Sequence, residues 1–104
     1  MPKGYWVVTA EVSDPEAYKA YVAANAAAFR KYGGRFLARG GRMEVVEGEA
    51  PPRGVVVEFA DFDAALACYR SPEYAAAMAH RAGRARLNIV VTEGYDGSQP
   101  ADAP

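Results

Sequence analysis

The sequence predicts an α+β domain of order β-α-β-β-α-β with a four-stranded antiparallel sheet, on three observations. Tyr5-Trp6-Val7-Val8 and Val55-Val56-Val57 are aromatic and β-branched runs of strand length. Ser13-Asp14-Pro15-Glu16 and Ser71-Pro72-Glu73 each place a capping side chain, a proline and an acid at a helix start. Gly33-Gly34 then Arg35-Phe36-Leu37 turns a helix into a strand.

Residues 4–12 read as the first strand, with Tyr5, Val7 and Thr9 on one side and Trp6, Val8, Ala10 and Val12 on the other. The first helix follows, capped from Ser13-Asp14. Its early acid suits the positive end of the helix dipole. Tyr18, Tyr21, Val22, Asn25, Ala28, Phe29 and Tyr32 recur at three and four residues along one face. Residues 35–47 read as a second strand, interrupted at Gly40-Gly41 by a bulge that re-aims Arg39 or Arg42. The segment from Gly48 to Gly54, with Pro51-Pro52, reads as a loop, and residues 55–60 as the third strand. Asp61 caps a short helix holding Leu66 and Tyr69, and Ser71 starts another segment that runs to about Arg84. Asp14-x-Glu16-Ala17 and Asp61-x-Asp63-Ala64 echo each other, each directly after a strand. Residues 86–93 read as the fourth strand. This is the split βαβ, ferredoxin-like arrangement. It occupies residues 1–95 as one domain, and residues 96–104, polar and proline-rich, read as a disordered tail.

Composition narrows the function classes. With 104 residues, 51% hydrophobic and 24% charged, the chain suits one globular core. A net charge of -1 and scattered arginines give no basic surface for nucleic acid or anionic membrane. No apolar run approaches the roughly 18 residues that span a bilayer, and the start does not read as a signal peptide. Cys68 is the only cysteine, so no internal disulfide forms and a cytoplasmic location is expected.

The sheet has a face to hide. Helices of this fold cover one side, and a sheet wetted on the other should alternate apolar with polar. Tyr5-Trp6-Val7-Val8 and Val55-Val56-Val57 do not alternate. Burial of one valine contributes about 1.5–3 kcal/mol, so a second copy of the chain is expected on the open face. The expected assembly is a homodimer.

Gly33-Gly34-Arg35, Arg39-Gly40-Gly41, Glu47-Gly48, Val57-Glu58-Phe59 and Tyr69-x-Ser71-Pro72-Glu73-Tyr74 together resemble the motif series of the domain of unknown function 1330 family. The resemblance runs from Tyr5 to Gly94. It implies a dimeric α+β barrel, two ferredoxin-like subunits packed sheet to sheet, and it implies no substrate. Cys68 departs from the tryptophan typical of the family there.

Glu58 is the candidate catalytic group, a carboxylate inside Val-Val-Val-Glu-Phe that burial would penalise unless paired. It either faces a polar pocket as an acid/base or forms a structural ion pair, with Arg39 or Arg81 as partner. Asn25, amid the apolar stripe, either lines a ligand pocket with Tyr18 and Tyr21 or bonds a neighbour. Tyr69 and Tyr74 either close the end of that pocket or pack the core. Ser71 reads as a cap rather than a nucleophile. His80 falls off the apolar stripe and reads as surface. No spacing suits a metal site, a catalytic triad or a nucleotide fingerprint, so no metal and no cofactor are expected.

The leading functional expectation is a dimer that binds a small polar or aromatic metabolite between sheet and helices. One alternative, by architectural similarity to cofactor-independent monooxygenases and lactone isomerases, is an enzyme using Glu58 with an arginine. The other is a non-catalytic, stress-associated or structural dimer.

Overall fold

Burial along β1 (Gly4–Val12) follows side-chain parity, with Trp6, Val8 and Ala10 buried and Val7 exposed. The structure is a computed structural model describing residues 2–102. The remaining elements are α1 (Pro15–Tyr32), β2 (Arg35–Arg39), β3 (Arg53–Phe59), α2 (Phe62–Tyr69), α3 (Pro72–Ala79) and β4 (Ala85–Glu93). The strands form one sheet in the order β2-β3-β1-β4, every pair antiparallel. β1 is central, which explains why both of its side-chain parities are largely apolar.

The register sorts the side chains by face. Trp6 sits opposite Val57 and Val91, and Val8 opposite Val55 and Ile89, all towards the helices. Trp6 is the hub of this layer. Its ring lies 5.1 Å from Phe29 and 5.0 Å from Tyr74, both edge-on, and Nε1–H donates to the Ala65 carbonyl at 2.8 Å. On the other face, Ala38, Val56, Val7 and Val90 form one apolar row across all four strands. Arg35, Glu58, Tyr5 and Thr92 form the polar row beside it.

The helix boundaries follow from caps. Asp14 accepts from the Glu16 and Ala17 amides, and Gly33 ends α1 in the left-handed region at φ 72°. Asp61 accepts from the Ala64 amide, so both members of the sequence echo, Asp14 and Asp61, are true caps, and Ser71 accepts from the Tyr74 amide. α3 stops at Ala79, five residues short of the expected Arg84. His80–Arg84 form turns, with Gly83 at φ 73°, because the chain must reverse to enter β4.

β2 departs most from expectation. It ends at Arg39, and the irregularity falls between Phe36 and Ala38 instead of at Gly40-Gly41. Gly40 still donates its amide to the Gly54 carbonyl of β3 at 2.9 Å, but residues 41–47, strand-like in composition, belong to no strand, since β3 begins only at Arg53. A strand without a partner leaves its backbone groups to water, and this segment is exposed throughout. Residues 96–102 bury nothing and carry one 3-10 turn at Pro100–Asp102. Residues 103 and 104 of the expected tail lie outside the described residues.

Candidate functional site

The bulge at Leu37 decides where β2 points its arginine. Phe36 and Arg39 have opposite parity, so in a regular strand they would face opposite ways. The extra residue brings both to the helix side, where the Arg39 guanidinium lies 3.9 Å from the Phe36 ring centroid. The sequence anticipates a re-aimed Arg39, with the bulge misplaced by three residues.

Between α1 and the sheet, Tyr18, Tyr21, Asn25, Phe36, Arg39 and Arg53 line a small cavity with Trp6 and Val57 at its floor. Its volume of about 20 Å³ is room for about one water. It adjoins a wider cleft of about 680 Å³ bounded by Val12, Pro15, Lys19, Ala23 and Pro52, with Tyr18, Val22 and Arg53 common to both. That outer volume falls in the range of small-molecule sites.

Asn25 is 5% exposed, and its Oδ1 has no hydrogen-bond partner. An unsatisfied buried polar atom costs about 1–3 kcal/mol, so this position carries a penalty that packing alone does not explain. Arg53 is the residue that sequence reasoning missed. It stands two positions before Val55 in the parity of Val57 and Phe59, so strand alternation carried the signal, but Pro51-Pro52 disguised the strand start. Its guanidinium lies over the Tyr18 ring at 5.4 Å and against Gly40, and its Nε is buried without a partner.

Gly40 is required twice, by a φ of 66° and by the Arg53 guanidinium in the space where a Cβ would stand. Gly40→Ala is expected to destabilise by about 1–2 kcal/mol from backbone strain alone and to displace Arg53. Gly41→Ala, with open space around it, should change little. Urea melts of the two variants compare them directly.

The other expected site residues fall elsewhere. Glu58 does not face this cavity. It lies half-exposed on the open face of the sheet, where the Tyr5 hydroxyl donates to it at 3.2 Å. Partial burial, and then this carboxylate, push the Tyr5 phenol up from its ordinary pKa. The expected pairing of Glu58 with Arg39 or Arg81 is therefore corrected. The run Val55–Val57 fills both faces of a central strand and hides which face the next residue takes.

Tyr74 and Arg81 brace the cavity from behind without lining it, because α3 packs on α1 rather than over the sheet. The hydroxyls of Tyr21 and Tyr74 are 2.6 Å apart, and Arg81 Nη2 donates to the Tyr74 hydroxyl at 3.3 Å. Burial, followed by the neighbouring Tyr21 phenol, raises the Tyr74 pKa, so it stays a neutral donor–acceptor. Tyr69 packs edge-on against Trp6 at 5.9 Å and stays partly exposed, away from the pocket it was expected to close. Ser71 is a cap, and His80 is exposed at the end of α3. Cys68 is fully buried, and desolvation pushes its thiol up to about 12, so it holds its proton and is no nucleophile at neutral pH. Among the described residues no group of three His, Cys, Asp or Glu could hold a metal, and no helix is long and apolar enough to cross a membrane.

Solved structures share this fold at low identity. A protein of unknown function from Rhodopseudomonas palustris, RPA0582, superposes with a TM-score of 0.71 at 19% identity, covering 92% of this chain and 85% of that one. SnoaB, a cofactor-independent oxygenase from Streptomyces nogalater, gives 0.59 at 14% identity over 99% of this chain and 100% of its own. An ethyl tert-butyl ether D (EthD) family protein from Bacillus halodurans gives 0.56 at 16% identity, over 91% and 100%. No curated protein matches the sequence. The likeness is one of fold, a four-stranded antiparallel α+β subunit. The family model for the domain of unknown function DUF1330 matches residues 3–95, and the chain belongs to that family.

Proposed function

We propose that the protein is a homodimer whose subunits each bind a small polar or aromatic metabolite in the cleft between α1 and the sheet. The observation that carries the ligand reading is Asn25. A buried amide oxygen without a partner, in an otherwise apolar and aromatic cavity that opens into a cleft of ligand size, is what a recognition site requires before its ligand arrives.

The dimer reading rests on the open face. Val7 and Val90 are 43% and 58% exposed within the apolar row, and Met43 and Val46 extend the apolar surface along the unpaired arm. Val7, Thr9, Ala38, Met43 and Val56 border a shallow groove of about 360 Å³ there. A second copy presents the same row and the same unpaired arm, so one symmetric contact covers both. Glu58 then serves as a polar edge of the interface, held by Tyr5. The enzymatic alternative has less support, since Glu58 and the cleft lie on opposite faces of the sheet.

Asn25→Leu tests the ligand reading. The substitution nearly conserves volume and removes the unsatisfied amide, so it should stabilise the fold by about 1 kcal/mol while abolishing binding. Thermal denaturation gives the first quantity. The second comes from native mass spectrometry and metabolite-panel shifts of the purified protein. Destabilisation by Asn25→Leu, with ligand responses unchanged, would return Asn25 to a structural role.

A further inference from the structure

The cleft carries a charge imbalance that the proposed function does not by itself explain. Arg39, Arg53 and Lys19 stand around it, and no aspartate or glutamate lines either the cavity or the cleft. The chain as a whole is slightly acidic, at a net charge of -1, so this concentration of cations is local. Lys19 is answered by Glu16 at 3.3 Å, but neither arginine has a carboxylate partner among the described residues.

Arg53 is the sharper case. Its guanidinium is held over the Tyr18 ring and against the backbone of Gly40, with Nε out of reach of water and unbonded. Partly burying a guanidinium without an anion is costly, and stacking on an aromatic ring offsets only part of that cost. The same stacking fixes the plane of the fork. A planar fork with free donors matches a carboxylate, which can accept two parallel N–H bonds.

We infer that the ligand of this cleft is a small organic acid. Its carboxylate is held by Arg53, with Arg39 adding charge, and its apolar body lies along Val12, Val22 and Ala23. A polar substituent reaches the Asn25 amide. This rests on the cleft being a ligand site, and it adds the chemical class. The narrow cavity with its aromatic walls favours a carboxylate on an apolar frame over a hydrated inorganic anion.

Matched probes separate the two levels of the inference. Benzoate, 2-hydroxybenzoate and hexanoate, each beside its neutral amide, are titrated into isotope-labelled protein, together with inorganic phosphate. Backbone resonances of Tyr18, Asn25 and Arg53 are followed. The acids should shift these resonances and bind about tenfold or more tightly than their amides. Arg53→Gln should weaken the acids by a similar factor, whereas Arg86→Gln, on the open face and paired with Glu11, should not.

Equal binding of acids and amides would overturn the organic-acid assignment while leaving the cleft as a binding site. Phosphate binding as tightly as the acids would overturn it too. No perturbation in the cleft by any probe at roughly millimolar concentration would overturn both. The acid–amide comparison uses the unaltered protein, so it stands even if Arg53→Gln folds poorly.

Discussion

Trp6→Ala is expected to cost about 3–5 kcal/mol of folding stability, the range for removing a fully buried large aromatic. Trp6 sits at the centre of β1, 1% exposed, with four aromatic rings within 6 Å of its own. Its removal opens a cavity bounded by sheet and all three helices at once, so no single element can move in to fill it. It also removes the indole N–H bond at 2.8 Å to the Ala65 carbonyl, an acceptor that sits inside α2. Small domains hold about 5–15 kcal/mol in total, so the variant should be near its unfolding threshold. Trp6→Phe separates the contributions. It keeps a ring and loses the donor, so its cost should be smaller and include the roughly 0.5–1.5 kcal/mol of one lost hydrogen bond. Urea denaturation followed by far-ultraviolet circular dichroism measures both. A loss under about 1 kcal/mol for Trp6→Ala would mean that the aromatic cluster does not pack as described.

Val56→Arg is expected to break the proposed dimer into folded monomers. Val56 stands between Val7 and Ala38 in the apolar row, so a symmetric partner places a guanidinium from each copy against valines. Burying an unpaired charge costs several kcal/mol, and the two-fold axis applies that cost twice. The dimer dissociation constant should rise about a thousandfold or more, since every 1.4 kcal/mol is a factor of ten. Ala26→Arg, on the exposed side of α1, is the control and should remain dimeric. Sedimentation velocity over a concentration series reads the outcome, with circular dichroism confirming that the variant stays folded. A monomeric unaltered protein at ordinary working concentrations would end the dimer reading.

Legibility in the sequence differed from element to element for physical reasons. Caps are local chemistry. Asp14, Asp61 and Ser71 announce three helix starts within four residues each, and all three bond as expected. The far end of α3 was less legible, because Ala79-His80-Arg81-Ala82 has helical composition and only the need to turn into β4 stops it. Strand length was least legible, since a strand exists only where another pairs with it. Residues 41–47 have the residues for a strand and, within one subunit, pair with none.

The site divides the same way. Tyr18, Tyr21 and Asn25 share a helical face, so their meeting was readable from spacing. Arg39 reached the same cavity through a bulge that a single register slip sets. Arg53 reached it from a strand start masked by two prolines, and Glu58, open between a pocket and an ion pair, found Tyr5 on the open face instead of an arginine.

The order of elements, the two helix faces and the alternation of β1 follow from side-chain periodicity and capping, which act within a few residues and so are written in the sequence itself. Which sheet face the helices cover, where the bulge falls and which arginines stand without an acid were decided only by packing. These depend on contacts between residues far apart in the chain, such as Arg53 against Tyr18 and Gly40, whose free energy exists only once the sheet and helices have closed on one another.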